Sequence, residues 1–109
     1  MPRLYAPPRE NPIETYLLAQ CRAHDLLCLK FVSPGRVGVP DRVLVAPGAT
    51  VFVEVKRPGG APDPRQTVMH AKLRRSGGTV AVVAGRADVD RLLARLRGRR
   101  RPDPDRAPA

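Results

Sequence analysis

The sequence predicts a single α/β domain with a small central sheet, and three observations predict it. The chain has 109 residues, 42% of them hydrophobic, which is enough for one modest core and not for two. Apolar residues recur at helical spacing near both ends of the chain. Four short apolar runs, bounded by Pro- and Gly-bearing turns, read as strands. The order is α-β-β-β-α-β-α with no internal repeat, and helices mixed with a small sheet define the class.

Taken in order, residues 1–9 hold three Pro and are expected to be flexible. A helix is expected from residue 10. Asn11 caps it, Pro12 fits its first turn, and Ile13, Tyr16, Leu17, Gln20 and Cys21 line one face. Residues 26–32 (LLCLKFV) read as a strand, and 33–40 (SPGRVGVP) as a loop. Residues 42–45 and 51–55 form two strands around the turn Ala46-Pro47-Gly48-Ala49. A second Pro/Gly loop precedes a helix over 64–75, with Asp63 as its cap and Gly77-Gly78 past its end. Residues 79–84 (TVAVVA) are a β-branched strand. The last helix, 88–97, carries Val89, Leu92, Leu93 and Leu96 at i, i+3, i+4 and i+7. The domain thus spans 10–97, and 98–109 is a disordered basic tail.

Charge narrows the partners. Lys plus Arg is 20 against 10 acids, a net +10, and only three of the cations are Lys. The pI near 11.2 points to a polyanion, most simply nucleic acid. With 4% aromatics and no Trp, a base-stacking platform for single strands is not expected. No run is long enough to span a membrane, and the start lacks a signal-peptide core. Two cysteines, Cys21 and Cys28, make neither a disulfide framework nor a four-ligand zinc site. A soluble, cytoplasmic chain is therefore expected, with no membrane partner and no small-molecule cofactor.

Chemistry is expected where polar residues interrupt the apolar strands. Glu54 and Lys56 in VFVEVK are two apart, so on a strand they share a face. With Pro47 and Gly48 at the hairpin tip, facing residues have numbers summing to 95, which sets Asp41 opposite Glu54. Side chains so opposed are about 5 Å apart at Cβ. Two carboxylates that close repel unless one is protonated or a cation joins them. Mg²⁺, held by one or two carboxylates plus water and phosphate, fits that need. Lys56 beside the pair is placed to hold an attacking water or a phosphate oxygen.

These residues resemble a known family. Gly38-Val39-Pro40-Asp41-Arg42 followed by Val51-Phe52-Val53-Glu54-Val55-Lys56 is similar to the PD-(D/E)XK nuclease pattern. With Lys30-Phe31, Ser33-Pro34-Gly35-Arg36, Pro58-Gly59-Gly60 and Gln66, it resembles the VRR-NUC nucleases, over about residues 10 to 97. The resemblance implies a restriction-endonuclease-like αβββαβ(α) core with a mixed sheet. It also implies a Mg²⁺- or Mn²⁺-dependent deoxyribonuclease, selective for junction or flap DNA in replication or repair, with a homodimer as one arrangement.

By the same resemblance Asp41 and Glu54 are metal ligands, joined by the Val55 carbonyl and a first-helix acid, Glu10 or Glu14, with Glu10 preferred. Lys56 positions or activates the water, and Gln66 stands near the site. Arg36, Arg42, Arg57 and Arg65 flank the site in sequence as candidate contacts to neighbouring phosphates. The competing expectation is a non-catalytic DNA-binding protein with a degenerate nuclease fold. His24 and His70, each alone on a helix, are expected to be structural or on the surface. The two cysteines are expected to act as small buried apolar residues.

Overall fold

The computed structural model describes residues 11–98, so the expectations for the two termini and for Glu10 lie outside the described residues. Seven elements follow in the expected order: α1 (Pro12–Ala23), β1 (Leu27–Lys30), β2 (Arg42–Ala46), β3 (Ala49–Val55), α2 (Pro64–Arg75), β4 (Thr79–Val83) and α3 (Arg86–Arg97). The strands form one sheet in the order β1-β2-β3-β4. The first three are antiparallel, and β4 runs parallel to β3. A parallel neighbour needs a crossover, and α2 supplies it.

Local chemistry explains the element ends. Asn11 accepts from the Ile13 amide at 3.0 Å and opens α1. The helix closes with Leu26 N–H on the Cys21 carbonyl and Asp25, at φ 54, in the left-handed region. That closure takes Leu26 out of β1, which begins one residue later than expected. Asp63 and Gln66 form a reciprocal capping box at 2.9 Å each way, fixing the start of α2. Gly77, at φ 96, turns the chain out of α2 as expected of that Gly pair. α3 begins at Arg86 rather than 88, because Asp88 reaches back to cap the Ala84 amide at 2.9 Å and so sits in the first turn.

The two sheet faces differ. Leu44, Val51, Val53, Val55 and Val83 share one face and meet Ile13, Leu17 and Cys21 of α1 and Val89, Leu92, Leu93 and Leu96 of α3. This is the core, and the expected helix faces build it. Cys21 is buried and Cys28 half-buried, both as free thiols. Strand alternation turns Phe52 and Glu54 to the other face, where α2 lies and where Phe52 packs against Phe31, centroids 5.4 Å apart.

The loop before β2 is pinned to the start of α2 at one point. Gly38 has φ +80, and a Cβ there would come within 2.7 Å of the Arg65 carbonyl oxygen. Gly35 has a similar φ of +78 with nothing near. Gly38→Ala is therefore expected to cost about 2 kcal/mol or more, and Gly35→Ala only the conformational part, about 1–2 kcal/mol. Thermal unfolding of the two variants checks this. Equal losses would mean that the close approach to α2 contributes nothing.

Candidate active site

The hairpin runs in the register expected from the turn. Arg42 faces Val53 and Ala46 faces Ala49, pairs that sum to 95. Continued by one residue, that register carries Asp41 to Glu54. Asp41 Oδ2 accepts from the Val55 amide at 2.8 Å, a bond that ties the start of β2 to the end of β3. Its own carbonyl accepts from Phe31 N at 2.9 Å. The aspartate is thus gripped by backbone on both sides.

Glu54 is 1% exposed, at the sheet position that α2 covers. Its Oε2 lies 3.4 Å from Gln66 Nε2 and 3.7 Å from Lys56 Nζ. Its Oε1 lies 3.3 Å from His70 Nε2. Burial pushes its pKa up to about 8; the hydrogen bond and negative charge of Asp41 add to this, and Lys56 offsets part of it. Glu54 accordingly keeps its proton near neutral pH. His70 is 2% exposed. Burial, then the nearby Arg74 and Lys56 charges, holds its pKa below the usual value. Its contact with Glu54 is therefore a hydrogen bond from a neutral ring, not an ion pair.

This donor set fits a hard divalent cation. Once Glu54 gives up its proton it is an oxygen ligand beside Asp41, and a cation there relieves the burial and the repulsion that favour the protonated form. Among the described residues no group of three or more His, Cys, Asp or Glu could hold a metal ion. Mg²⁺ asks for less, taking one or two carboxylates and filling the rest of its shell with water and phosphate.

The fold brings Asp41, Glu54, Val55, Lys56 and Gln66 together and adds His70. It does not bring Arg42 to the pair. Arg42 Nε donates to Glu14 Oε2 at 2.9 Å, on the α1 side of the sheet. Glu14, the alternative first-helix acid, is matched there by a cation. Arg36 and Arg65 line a groove of about 450 Å³ with Gly35, Val37, Pro64, Val68, Met69 and Lys72. Arg57 follows the site strand and is exposed.

No family model matches the chain. A phage protein named "Putative nuclease p44", from Acyrthosiphon pisum secondary endosymbiont phage 1, is 46% identical over 76 residues, 69% of this chain and 82% of that one. A solved structure described as a VRR_NUC domain superposes with a TM-score of 0.71 at 34% identity, covering 78% of this chain and 94% of the other. A second, described as a VRR_NUC domain protein, has a TM-score of 0.67 over 84% and 90% of the two chains; at 17% identity the likeness is one of fold. No helix among the described residues is long and apolar enough to cross a membrane.

Proposed function

The chain belongs to the VRR-NUC family of nuclease domains, and from that premise we propose that it is a Mg²⁺- or Mn²⁺-dependent DNA endonuclease selective for junction or flap structures. The observation that carries this reading is the buried Glu54 carboxyl, raised to about 8 by burial and by Asp41, with Lys56 Nζ 3.7 Å away. A pure DNA binder gains nothing from carboxylates gathered against a polyanion.

In this reading Asp41 and Glu54, with the Val55 carbonyl and Glu10, hold the cation. When bound, the ion supplies charge neutralisation at the phosphate and acidifies a water. Lys56, beside Glu54, would orient an attacking water and face the phosphoryl oxygens as negative charge develops on them. Gln66, fixed by its capping box, keeps its amide toward Glu54 Oε2. Arg36, Arg57 and Arg65 take neighbouring phosphates, while Arg42 pairs with Glu14. Shape rather than sequence is the target in this reading. A homodimer would present two such sites to a two-fold symmetric junction. The DNA substrate and the two free thiols support an intracellular setting.

The test is cleavage of labelled four-way junction, flap, duplex and single-stranded DNA by wild type and Glu54→Ala, with Mg²⁺, Mn²⁺ or EDTA. Metal-dependent cutting, lost in the variant and fastest on branched DNA, is the expected result. A folded wild type that binds DNA in a salt-sensitive way and cuts none of the four would overturn the reading in favour of a non-catalytic binder.

A further inference from the structure

We propose that His70 is a positioning residue for the metal site: its Nε2–H holds Glu54 Oε1 and so turns Oε2 toward the cation. The proposal rests on the reading of Asp41 and Glu54 as the pair that holds the ion.

Two observations converge on it. First, α2 is a polar helix whose one buried residue among those described is His70. A helix that covers a sheet ordinarily spends such a position on Leu or Phe. Here the position carries a ring nitrogen, and that nitrogen meets a carboxylate 3.3 Å away. Second, the two oxygens of Glu54 are used differently. Oε2 faces Gln66 and Lys56, whose side chain is 21% exposed, so this oxygen looks toward the open side of the site. Oε1 faces inward, and the His70 and Glu54 side chains are only 3% and 2% exposed. A carboxylate oxygen that deep needs a donor, and His70 is its partner among the described residues.

One helix delivers both orienting groups. Gln66 and His70 are four residues apart, hence on the same face of α2, and the capping box at Asp63 fixes where that face begins. The carboxylate is thus held from one rigid element on both of its oxygens, as outer-shell partners of metal ligands generally hold them.

The test titrates Mn²⁺ into the full chain without DNA, by calorimetry, for wild type, His70→Phe and His70→Gln, with metal-free thermal unfolding of each. Phe fills the space and donates nothing; Gln restores a donor. The expected result is a loss of Mn²⁺ affinity of about 10–100-fold in His70→Phe, with most of it recovered in His70→Gln. Cleavage by His70→Phe should recover in part as Mn²⁺ is raised. Wild-type affinity in His70→Phe would overturn the proposal and leave the nuclease reading standing. Equal affinity losses in both variants, tracking equal losses of metal-free stability, would overturn it in favour of packing. A wild type that takes up no Mn²⁺ would overturn both readings.

Discussion

Lys56→Ala is expected to lower the single-turnover cleavage rate by about 10²–10⁴-fold, the range for removing a group that moves a proton or faces developing charge. DNA affinity should change little, because one cation of many is lost. The geometry leaves two ways for Lys56 to matter. Its Nζ, 3.7 Å from Glu54 Oε2, favours the ionised carboxylate and so helps to load the site. It is also a cation beside the carboxylate pair that a phosphate would meet. A pH profile separates the two. If Lys56 acts only through Glu54, raising the pH restores the ionised carboxylate and the variant recovers toward the wild-type rate. If it acts on the reacting groups, the rate of the variant levels off far below that of wild type at every pH and at saturating metal. A loss of less than about threefold at neutral pH would remove Lys56 from the chemistry altogether.

How much of this arrangement the sequence reveals depends on whether the information is local. The hairpin register was legible because a Pro-Gly tip fixes which residues face each other, and Arg42 opposite Val53 bears it out. The start of α2 was legible because a cap followed by Gln at the third helical position is a local signal, and the reciprocal bonds at 2.9 Å follow from it. Two further features follow from local periodicity alone. His70 lies one helical turn beyond Gln66, so a helix that turns Gln66 to the site turns residue 70 there too. Arg42 is the strand neighbour of Asp41, so alternation sends it to the other face. What no local pattern contains is the partner found on that other face. The 2.9 Å pairing of Arg42 with Glu14 depends on how α1 crosses the sheet, which the core decides as a whole. The same holds for the raised pKa of Glu54. An ExK pattern on a strand shows a carboxylate beside a lysine; the burial that governs it comes from α2, the crossover between β3 and its parallel neighbour β4.

The metal-free protein is expected to lose about 2 kcal/mol of stability between pH 6.5 and pH 8, and Glu54 is the reason. Its folded pKa of about 8 stands above the ordinary value of 4.5. Between those values the folded chain holds a proton that the unfolded chain has released. Stability therefore falls as pH rises through that range. His70 works the other way. Its folded pKa is below 6.5, so under pH 6.5 the unfolded chain takes up a proton that the buried ring refuses, and stability rises with pH there. The two slopes oppose each other on the acid side, which leaves pH 6.5 to 8 as the window in which the carboxyl slope stands clear of the imidazole. One proton released over that span is worth about 2 kcal/mol, or a fall in Tm of about 10 °C for a domain of this size. Cys28, whose pKa is lowered, adds a slope of the opposite sign on the alkaline side. The decisive comparison is therefore with Glu54→Gln, which keeps His70 and Cys28 and removes only the titrating carboxyl. The variant should be the flatter of the two in this window and the more stable at pH 8. Mg²⁺ should stabilise the wild type more at pH 8 than at pH 6, because Glu54 must first give up its proton. Identical pH profiles for the two metal-free proteins would mean that Glu54 ionises freely, and the crowding of carboxyl groups on which the metal site is argued would not exist.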